Sequence, residues 1–430
     1  MLYKNIIERL TKGVFFRNVT TLMSGTALAQ VIPVLLSPVL TRLYSPEQYG
    51  TMALFTALVG IFSVVATFRY ELSIMLPEKD SDAVNIIVLS LILNFSLSII
   101  LLIITFLFNE RFTDLLNDPE ISGWLYFVPV MVFLIGVFQS MHYWLSRKKH
   151  YKKLSAALIS RSGIKGSAQV GVIYVLPGIG TAGLIGGAIF GQFVSTIIIV
   201  QQSLRQISSA FQKVSFKRIT ELAKKYKNFP VINTSHALAN TLSSNLPVML
   251  LTSFFSSKVA GLYSLALMAV MLPTGLVSNA IGQVFYQRIS DAYNKKESLY
   301  PYTVRLVKGL FFVSIIPFGL LFLLAPSLFG LIFGGQWTEA GLYTRILMPW
   351  ILMRFVVAPM SYVPLVLSQQ GKAFRIEVAG IIVVIITLMV GGMLENVTLT
   401  LSLLSCFSLL VLVYSFSWII SISKNAKIQA

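Results

Sequence analysis

The sequence predicts an all-α polytopic membrane protein, with about twelve transmembrane helices arranged as two six-helix lobes around a central cavity. Mean hydropathy is +0.78 and only 12% of the 430 residues are charged, as is typical of chains that lie mostly within a bilayer. The hydrocarbon core of a bilayer is about 30 Å thick and needs roughly 20 apolar helical residues to cross it. Twelve stretches of the chain satisfy this length, and most of their connections are short.

The predicted spans follow from the apolar runs, and they cover 19–42, 49–76, 83–108, 122–146, 153–177, 180–203, 229–255, 259–287, 302–333, 338–368, 374–393 and 397–422. The longest connection follows the sixth span and divides the chain into halves. The predicted segments are an amphipathic N-terminus, an N-terminal lobe, a basic linker, a C-terminal lobe and a tail, at 1–18, 19–203, 204–228, 229–422 and 423–430. Apolar residues recur every four positions in the first segment, which favours a helix lying on the membrane surface.

The formal net charge is +18, and much of it is concentrated in two basic clusters, at 147–153 and 213–227. Both clusters lie beside predicted spans, where basic residues set orientation and contact anionic lipid headgroups. This position excludes nucleic acid as a partner and makes membrane lipids the expected one. With an even number of spans, the basic connections fall on one side, so the positive-inside rule predicts that both termini are cytoplasmic.

Several site classes are disfavoured by the sequence. The segment 178–183 matches a dinucleotide fingerprint but follows a transmembrane helix rather than a strand, so we interpret Gly183, Gly187 and Gly191 as a helix-packing stripe. Cys406 is the only cysteine and the three histidines are scattered, so neither a disulfide within the chain nor a metal site is expected. The short loops and the missing carboxylate pairs on the outer face argue against an enzyme.

Charged residues inside the predicted spans carry the functional signal. Only two carboxylates, Glu71 and Glu377, lie well inside these spans, compared with five cations. The five cations are Arg69, Arg161, Lys165, Arg345 and Arg354. At least three cations therefore lack a carboxylate partner, and facing lipid would cost each several kcal/mol. Such residues are expected to line a watered cavity that holds an anion, and the planar donors of arginine suit phosphate oxygens.

No cofactor is expected, and Glu71 is the best candidate for a site that couples transport to H+ or Na+. The alternative is that Glu71 is simply an intrahelical partner of Arg69. Arg42 and Glu377 are, with Glu71, the candidate coupling or gate residues. Arg42 closes the first span on the outer side, where its side chain can alternatively reach the headgroups.

The two halves of the chain also resemble each other. The segment 36–40 (LSPVL) is similar to 245–249 (NLPVM), and each is followed by a turn with glycine and tyrosine, at Tyr49-Gly50 and at Gly261-Leu262-Tyr263. Two six-helix bundles related by a repeat form a common transporter plan.

Two further motifs carry a family resemblance. The segment 43–50 (LYSPEQYG) and the segment 69–77 (RYELSIMLP) resemble the bacterial polysaccharide transporters. These are the O-antigen flippases of the multidrug/oligosaccharidyl-lipid/polysaccharide (MOP) exporter superfamily. The family motif matches Arg42, Tyr49, Gly50, Arg69 and Glu71, and Arg69 either contacts the substrate or locks a cytoplasmic gate.

The resemblance implies a flippase in the bacterial inner membrane. Its substrate would be an undecaprenyl-diphosphate-linked oligosaccharide, moved to the periplasmic leaflet by alternating access that an ion gradient or the membrane potential drives. Polysaccharide assembly proteins are further expected partners. The alternatives are an exporter of another anionic or drug-like solute, and a membrane-embedded polymerase or transferase.

Overall fold

The computed structural model describes residues 14–176 and 178–425, and all regular structure in these residues is helical. The all-α prediction is therefore confirmed. Most of the predicted amphipathic N-terminus and residues 426–430 of the predicted tail lie outside the described residues, so both stay predictions.

The chain forms two compact units, the first containing the chain up to Tyr44 together with Leu54–Thr241. Its helices, with a 3₁₀ helix after α2, are α1 (Val14–Leu43), most of α2 (Pro46–Val65), the 3₁₀ helix (Tyr70–Met75), α3 (Asp80–Leu116), α4 (Ile121–Leu125), α5 (Phe127–Arg147), α6 (Tyr151–Val175), α7 (Thr181–Phe211) and α8 (Phe216–Lys225).

The second unit contains Ser45–Ala53 and the chain from Leu242 onward. A π-helical turn, Phe229–Asn233, precedes the helix that leads from the first unit into the second. The helices of this part are α9 (Thr234–Phe254), α10 (Ser257–Asn294), α11 (Tyr300–Phe333), α12 (Thr338–Val357), α13 (Tyr362–Val366), α14 (Gln370–Met393) and α15 (Val397–Asn425). The first residues of α2 thus belong to the second unit, which no sequence pattern indicated.

Within the described residues, ten helical segments are long and apolar enough to cross a membrane. The other two predicted spans correspond to α6 and α9, helices of 25 and 21 residues whose polar side chains lower their hydropathy. A multi-pass membrane protein is therefore confirmed, whereas the count of twelve stays a prediction.

The predicted span 49–76 is not one helix. Helix α2 ends at Val65, and Phe68 and Arg69 then adopt the left-handed backbone region, with φ of 48° and 59°. Two consecutive residues in this region cannot continue a right-handed helix. The 20 residues of α2 already span about 30 Å, so Arg69 and Glu71 lie beyond the end of the apolar helix rather than inside it.

The core of the first unit is built on α3, α5, α6, α7 and α8, around the fully buried Trp144, Leu154 and Ile199. Helix α6 packs most extensively against α7 and α1. The packing stripe predicted on α7 is confirmed, because a Cβ on Gly187 would lie 2.6 Å from Gln169 Cγ, and one on Gly191 would lie 2.7 Å from Lys165 Cα. These glycines let α7 approach the backbone of α6 closely.

Helix α8, in the predicted basic linker, packs within the first unit against α3 and the 3₁₀ helix. Its apolar residues Ile219 and Leu222 are buried. Arg218 donates two hydrogen bonds to the carboxylate of Asp82 at the start of α3, at 2.8 and 2.7 Å. Tyr70 donates a hydrogen bond of 3.0 Å to the carbonyl of Ala223, which ties the 3₁₀ helix to α8.

In the second unit, α12 lies at the centre and packs against α10, α11 and α15. Tyr263, Trp337 and Leu347 are each at most 1% exposed and lie in the apolar core of this unit. The ring of Tyr49, at the start of α2, makes an edge-to-face contact of 5.0 Å with Trp337. This contact anchors the first turn of α2 in the second unit.

Candidate functional site

Helix α6 carries two cations, Arg161 and Lys165, one helical turn apart on one face. The guanidinium carbon of Arg161 lies 5.3 Å from the ring centre of Phe138 on α5. His142, one turn further along α5, lies within electrostatic reach of Arg161. Among the described residues, no carboxylate comes within 4.0 Å of Arg161 or Lys165. The local environment is therefore positive and suited to an anion.

The position of these cations is set by contacts of α6 with α1 and α7. The buried Tyr44, just after α1, donates a 2.6 Å hydrogen bond to the carbonyl of Gln169, one turn beyond Lys165. Gln169 in turn donates a 2.8 Å hydrogen bond to the carbonyl of Leu184 on α7. Polar bonds of this kind between apolar helices fix both the rotation and the depth of α6.

A second cluster lies at the end of α2, outside the candidate spans. The Arg69 guanidinium lies 3.6 Å from the carboxylate of Glu71, whose side chain is 1% exposed. The Thr67 hydroxyl donates a hydrogen bond to the other carboxylate oxygen. Burial raises the pKa of the Glu71 carboxyl above its ordinary value, and the Thr67 hydrogen bond and the Arg69 charge offset this only in part. Burial therefore makes Glu71 easier to protonate than an exposed glutamate.

In the second unit, Arg354 on α12 lies within electrostatic reach of Glu377 on α14 and of Tyr263 on α10. The Arg354 guanidinium carbon lies 5.8 Å from the ring centre of Trp350, one turn earlier. Arg354 thus has a carboxylate in its surroundings, unlike Arg161 and Lys165.

Arg345 has backbone partners. Its guanidinium donates hydrogen bonds of 2.9 Å to the carbonyls of Phe322 and Leu323 on α11. Pro326 lies four residues after Phe322 and has no N–H, so the Phe322 carbonyl cannot form its normal helical bond. Arg345 therefore completes the hydrogen bonding of a proline-interrupted helix, and its predicted contact with substrate stays a prediction.

The structure thus separates the predicted site residues into several groups. Arg161 lies with Lys165, Arg69 with Glu71, and Arg354 with Glu377. Arg345 on α12 instead contacts backbone carbonyls of α11, and Arg42 is exposed in the last turn of α1. Sequence reasoning missed His142 and Phe138 beside Arg161. No sequence signal could have found them, because they come from a different helix.

Among the residues that the structure describes, no three His, Cys, Asp or Glu side chains come together as a metal site. The chemistry that this arrangement offers is the binding of an anion by Arg161 and Lys165, and the gain or loss of a proton at Glu71.

Comparison with known proteins agrees with a transporter. A family model described as polysaccharide biosynthesis protein matches residues 39–341. The lipopolysaccharide biosynthesis protein WzxC of Escherichia coli K12 is 21% identical over 88% of this chain and 74% of its own length. The succinoglycan biosynthesis transport protein ExoT of Rhizobium meliloti is 22% identical over 70% of this chain and 59% of its own length.

Solved structures share the fold. The lipid II flippase MurJ, in an inward closed conformation, superimposes with a TM-score of 0.70 at 14% identity, over 94% of this chain and 90% of its own. An inward-facing MATE multidrug resistance transporter of the MOP superfamily superimposes with a TM-score of 0.65 at 16% identity, over 94% of both chains. ExoT, MurJ and the MATE protein are a transport protein, a flippase and a transporter, and the expectation that this chain is not an enzyme agrees with them.

The family model matches residues 39–341, which is most of the chain and includes its motif residues, so this chain belongs to the polysaccharide biosynthesis protein family.

Proposed function

We propose that the protein is a flippase that moves an undecaprenyl-diphosphate-linked oligosaccharide across the bacterial inner membrane. The substrate would be the repeat unit of an O-antigen, a capsule or a similar polysaccharide, carried from the cytoplasmic to the periplasmic leaflet. The observation that carries this proposal is the Arg161–Lys165 pair on α6, a predicted span, which has no carboxylate within 4.0 Å among the described residues. A diphosphate supplies the negative charge and oxygen acceptors that such a pair prefers.

Transport by alternating access needs a source of free energy, and Glu71 is our candidate for coupling it to a cation. Its carboxyl is buried next to Arg69 and has a raised pKa, so protonation changes the charge of the cluster from neutral to positive. A change of charge in a buried cluster can bias two conformations. The membrane potential is the alternative source of driving force.

The experiment compares cells that lack the gene with cells that carry it, and locates the undecaprenyl-linked repeat unit in each leaflet. Without the gene, the repeat unit accumulates on the cytoplasmic side and surface polysaccharide is lost. R161A and R354A are each expected to insert normally but restore less than a tenth of the transport, because a mid-membrane cation can be worth several kcal/mol.

R305A is the matched control, because Arg305 is an exposed cation near the start of α11. It should restore transport fully. Full restoration by both R161A and R354A would refute the cationic site, and accumulation of the repeat unit on the periplasmic side would refute flipping.

The similarity to MATE transporters favours one second candidate, export of another anionic or drug-like solute. In that case, deleting the gene would leave translocation of the repeat unit unchanged and would instead change the efflux of the solute.

A further inference from the structure

A groove of about 520 Å³ runs along the surface that α6 and α7 form in the first unit. Its lining includes Ile159, Gly163, Ile164 and Ser167 of α6 and Phe190 of α7, and none of the lining residues is charged. The α6 residues that line it extend over about 13 Å of helix, at 1.5 Å per residue. The groove therefore offers an open and largely apolar surface along this length of α6.

Gly163 has no packing role in the structure. A Cβ placed on Gly163 would meet no atom within 4 Å, whereas one on Gly166, in the next turn, would lie 2.1 Å from Leu36 of α1. Close helix packing thus accounts for Gly166 but not for Gly163. The missing side chain of Gly163 instead leaves the floor of the groove open.

The groove borders the two cations of α6. Ala168, which also lines the groove, follows Arg161 by seven residues and Lys165 by three, so it lies on their face of the helix. Ile164 follows Arg161 by three residues and precedes Lys165 by one. One edge of the groove, at Ile164 and Ala168, thus lies beside two positive charges that have no carboxylate partner within 4.0 Å among the described residues.

We propose that this groove holds the first part of the polyprenyl tail of the substrate while Arg161 and Lys165 bind its diphosphate. The proposal rests on the proposed function and adds a tail-binding site in the first unit. A ligand with an anionic head joined directly to a branched hydrocarbon chain matches the charge at the rim and the apolar surface beside it. The open floor at Gly163 gives room for the methyl branches of an isoprenoid.

The test fills the groove without touching the cations. In G163F the aromatic ring would occupy the groove, and in the control G171F the ring lies two turns further along α6. A Cβ at Gly171 also meets no atom within 4 Å, and Gly171 does not line the groove. Thermal unfolding of both variants shows whether either substitution destabilises the fold. A benzophenone side chain at position 167 of the otherwise unchanged chain gives a second test, which does not depend on the phenylalanine variants.

The purified protein in phosphatidylglycerol nanodiscs is titrated with undecaprenyl diphosphate and with inorganic diphosphate. We expect G163F to weaken binding of undecaprenyl diphosphate at least tenfold and to leave inorganic diphosphate unchanged, G171F to change neither, and R161A to weaken both. The benzophenone at position 167 should crosslink to undecaprenyl diphosphate.

Equal affinity of G163F and the wild type for undecaprenyl diphosphate would overturn the tail site but leave the flippase proposal intact. Crosslinking from position 167 to phosphatidylglycerol alone would likewise assign the groove to bilayer lipid and overturn the proposal. If the wild type does not bind undecaprenyl diphosphate at all, the proposed function itself fails.

Discussion

Replacing Arg345 with alanine removes two hydrogen bonds that complete the backbone of α11 beside Pro326. The freed carbonyls lie in a membrane helix, where an unsatisfied polar group costs about 1–3 kcal/mol. We therefore expect R345A to lower the midpoint of thermal unfolding in detergent, and R345K to restore part of it. R161A should show the opposite behaviour, with unchanged unfolding and lost transport. Unchanged stability of R345A would contradict this structural role.

The sequence predicted where Arg345 lies along its helix but not what it contacts. Counting cations against carboxylates leaves out backbone carbonyls as partners. A helical carbonyl becomes a free acceptor when a proline lies four residues after it, and an arginine can use it only if a neighbouring helix places the arginine at the same depth. Gly341, one turn before Arg345, packs on the same kink, since its Cβ would lie 2.6 Å from Pro326 Cα. The role of this arginine is decided by a contact between two helices, and the sequence of one helix alone cannot reveal that contact.

Glu71 makes stability depend on pH. Its folded pKa is raised by burial, so its contribution to stability is fully present below the pKa of an unfolded glutamate and is lost as pH rises through the folded pKa. Each unit of difference between the two pKa values corresponds to about 1.36 kcal/mol. E71Q does not titrate, so we expect its unfolding midpoint to rise relative to the wild type as the pH increases from about 5 to about 8.

The same variant tests coupling, because E71Q should also lose the pH or sodium dependence of transport. The control is E78Q, since Glu78 is an exposed acid in the following turn. Its pH profiles should match those of the wild type. Parallel profiles for E71Q and the wild type would show that Glu71 only pairs with Arg69.

In the second unit, the first turns of α2 and α10 pack against each other, and each places a glycine against the backbone of the other helix. A Cβ on Gly50 of α2 would lie 1.7 Å from the carbonyl oxygen of Ser257, and one on Gly261 of α10 would lie 1.9 Å from that of Pro46. Pro46 and Ser257 are the first residues of their helices, and each glycine lies four residues later. The weak internal repeat of the sequence thus corresponds to a two-fold arrangement of these helix starts.

Because each glycine faces the other helix's backbone, an alanine at either position must push the helices apart. We expect G50A and G261A each to destabilise the protein by about 1–3 kcal/mol, as overpacking does. The double variant should cost less than the sum, because the first alanine already creates space for the second. Thermal unfolding of the single and double variants measures this, with G171A as the control. Strict additivity would show that the two contacts are independent.

At the level of the whole molecule, hydropathy predicted the helical membrane class and most of the helix positions. It could not predict that α2 ends at Val65, because a left-handed turn at Phe68 and Arg69 is not encoded in apolarity. Nor does it decide whether α6 and α9 cross the membrane, since the polar residues that make α6 functionally interesting also lower its hydropathy. The strongest functional signal and the weakest span signal fall on the same helix.

The side on which α8 lies decides between ten and twelve spans. If α6 and α9 both cross the membrane, α8 follows six spans and shares the side of the N-terminus. If neither crosses, α8 follows five spans and lies on the opposite side, while the connection before α15 keeps its side in both cases. The basic residues around α8 favour the cytoplasm. We therefore expect twelve spans and a cytoplasmic α8.

Single cysteines introduced into a C406S background test this topology, because Cys406 is the only native cysteine. T220C places a thiol on the exposed side of α8, and E395C places one in the exposed connection before α15. In intact spheroplasts, a membrane-impermeant maleimide should label E395C and not T220C, and T220C should react once the membrane is permeabilised. Labelling of T220C without permeabilisation would mean that α6 does not cross, and Arg161 and Lys165 would then lie at the membrane surface, where a mid-membrane diphosphate site could not form.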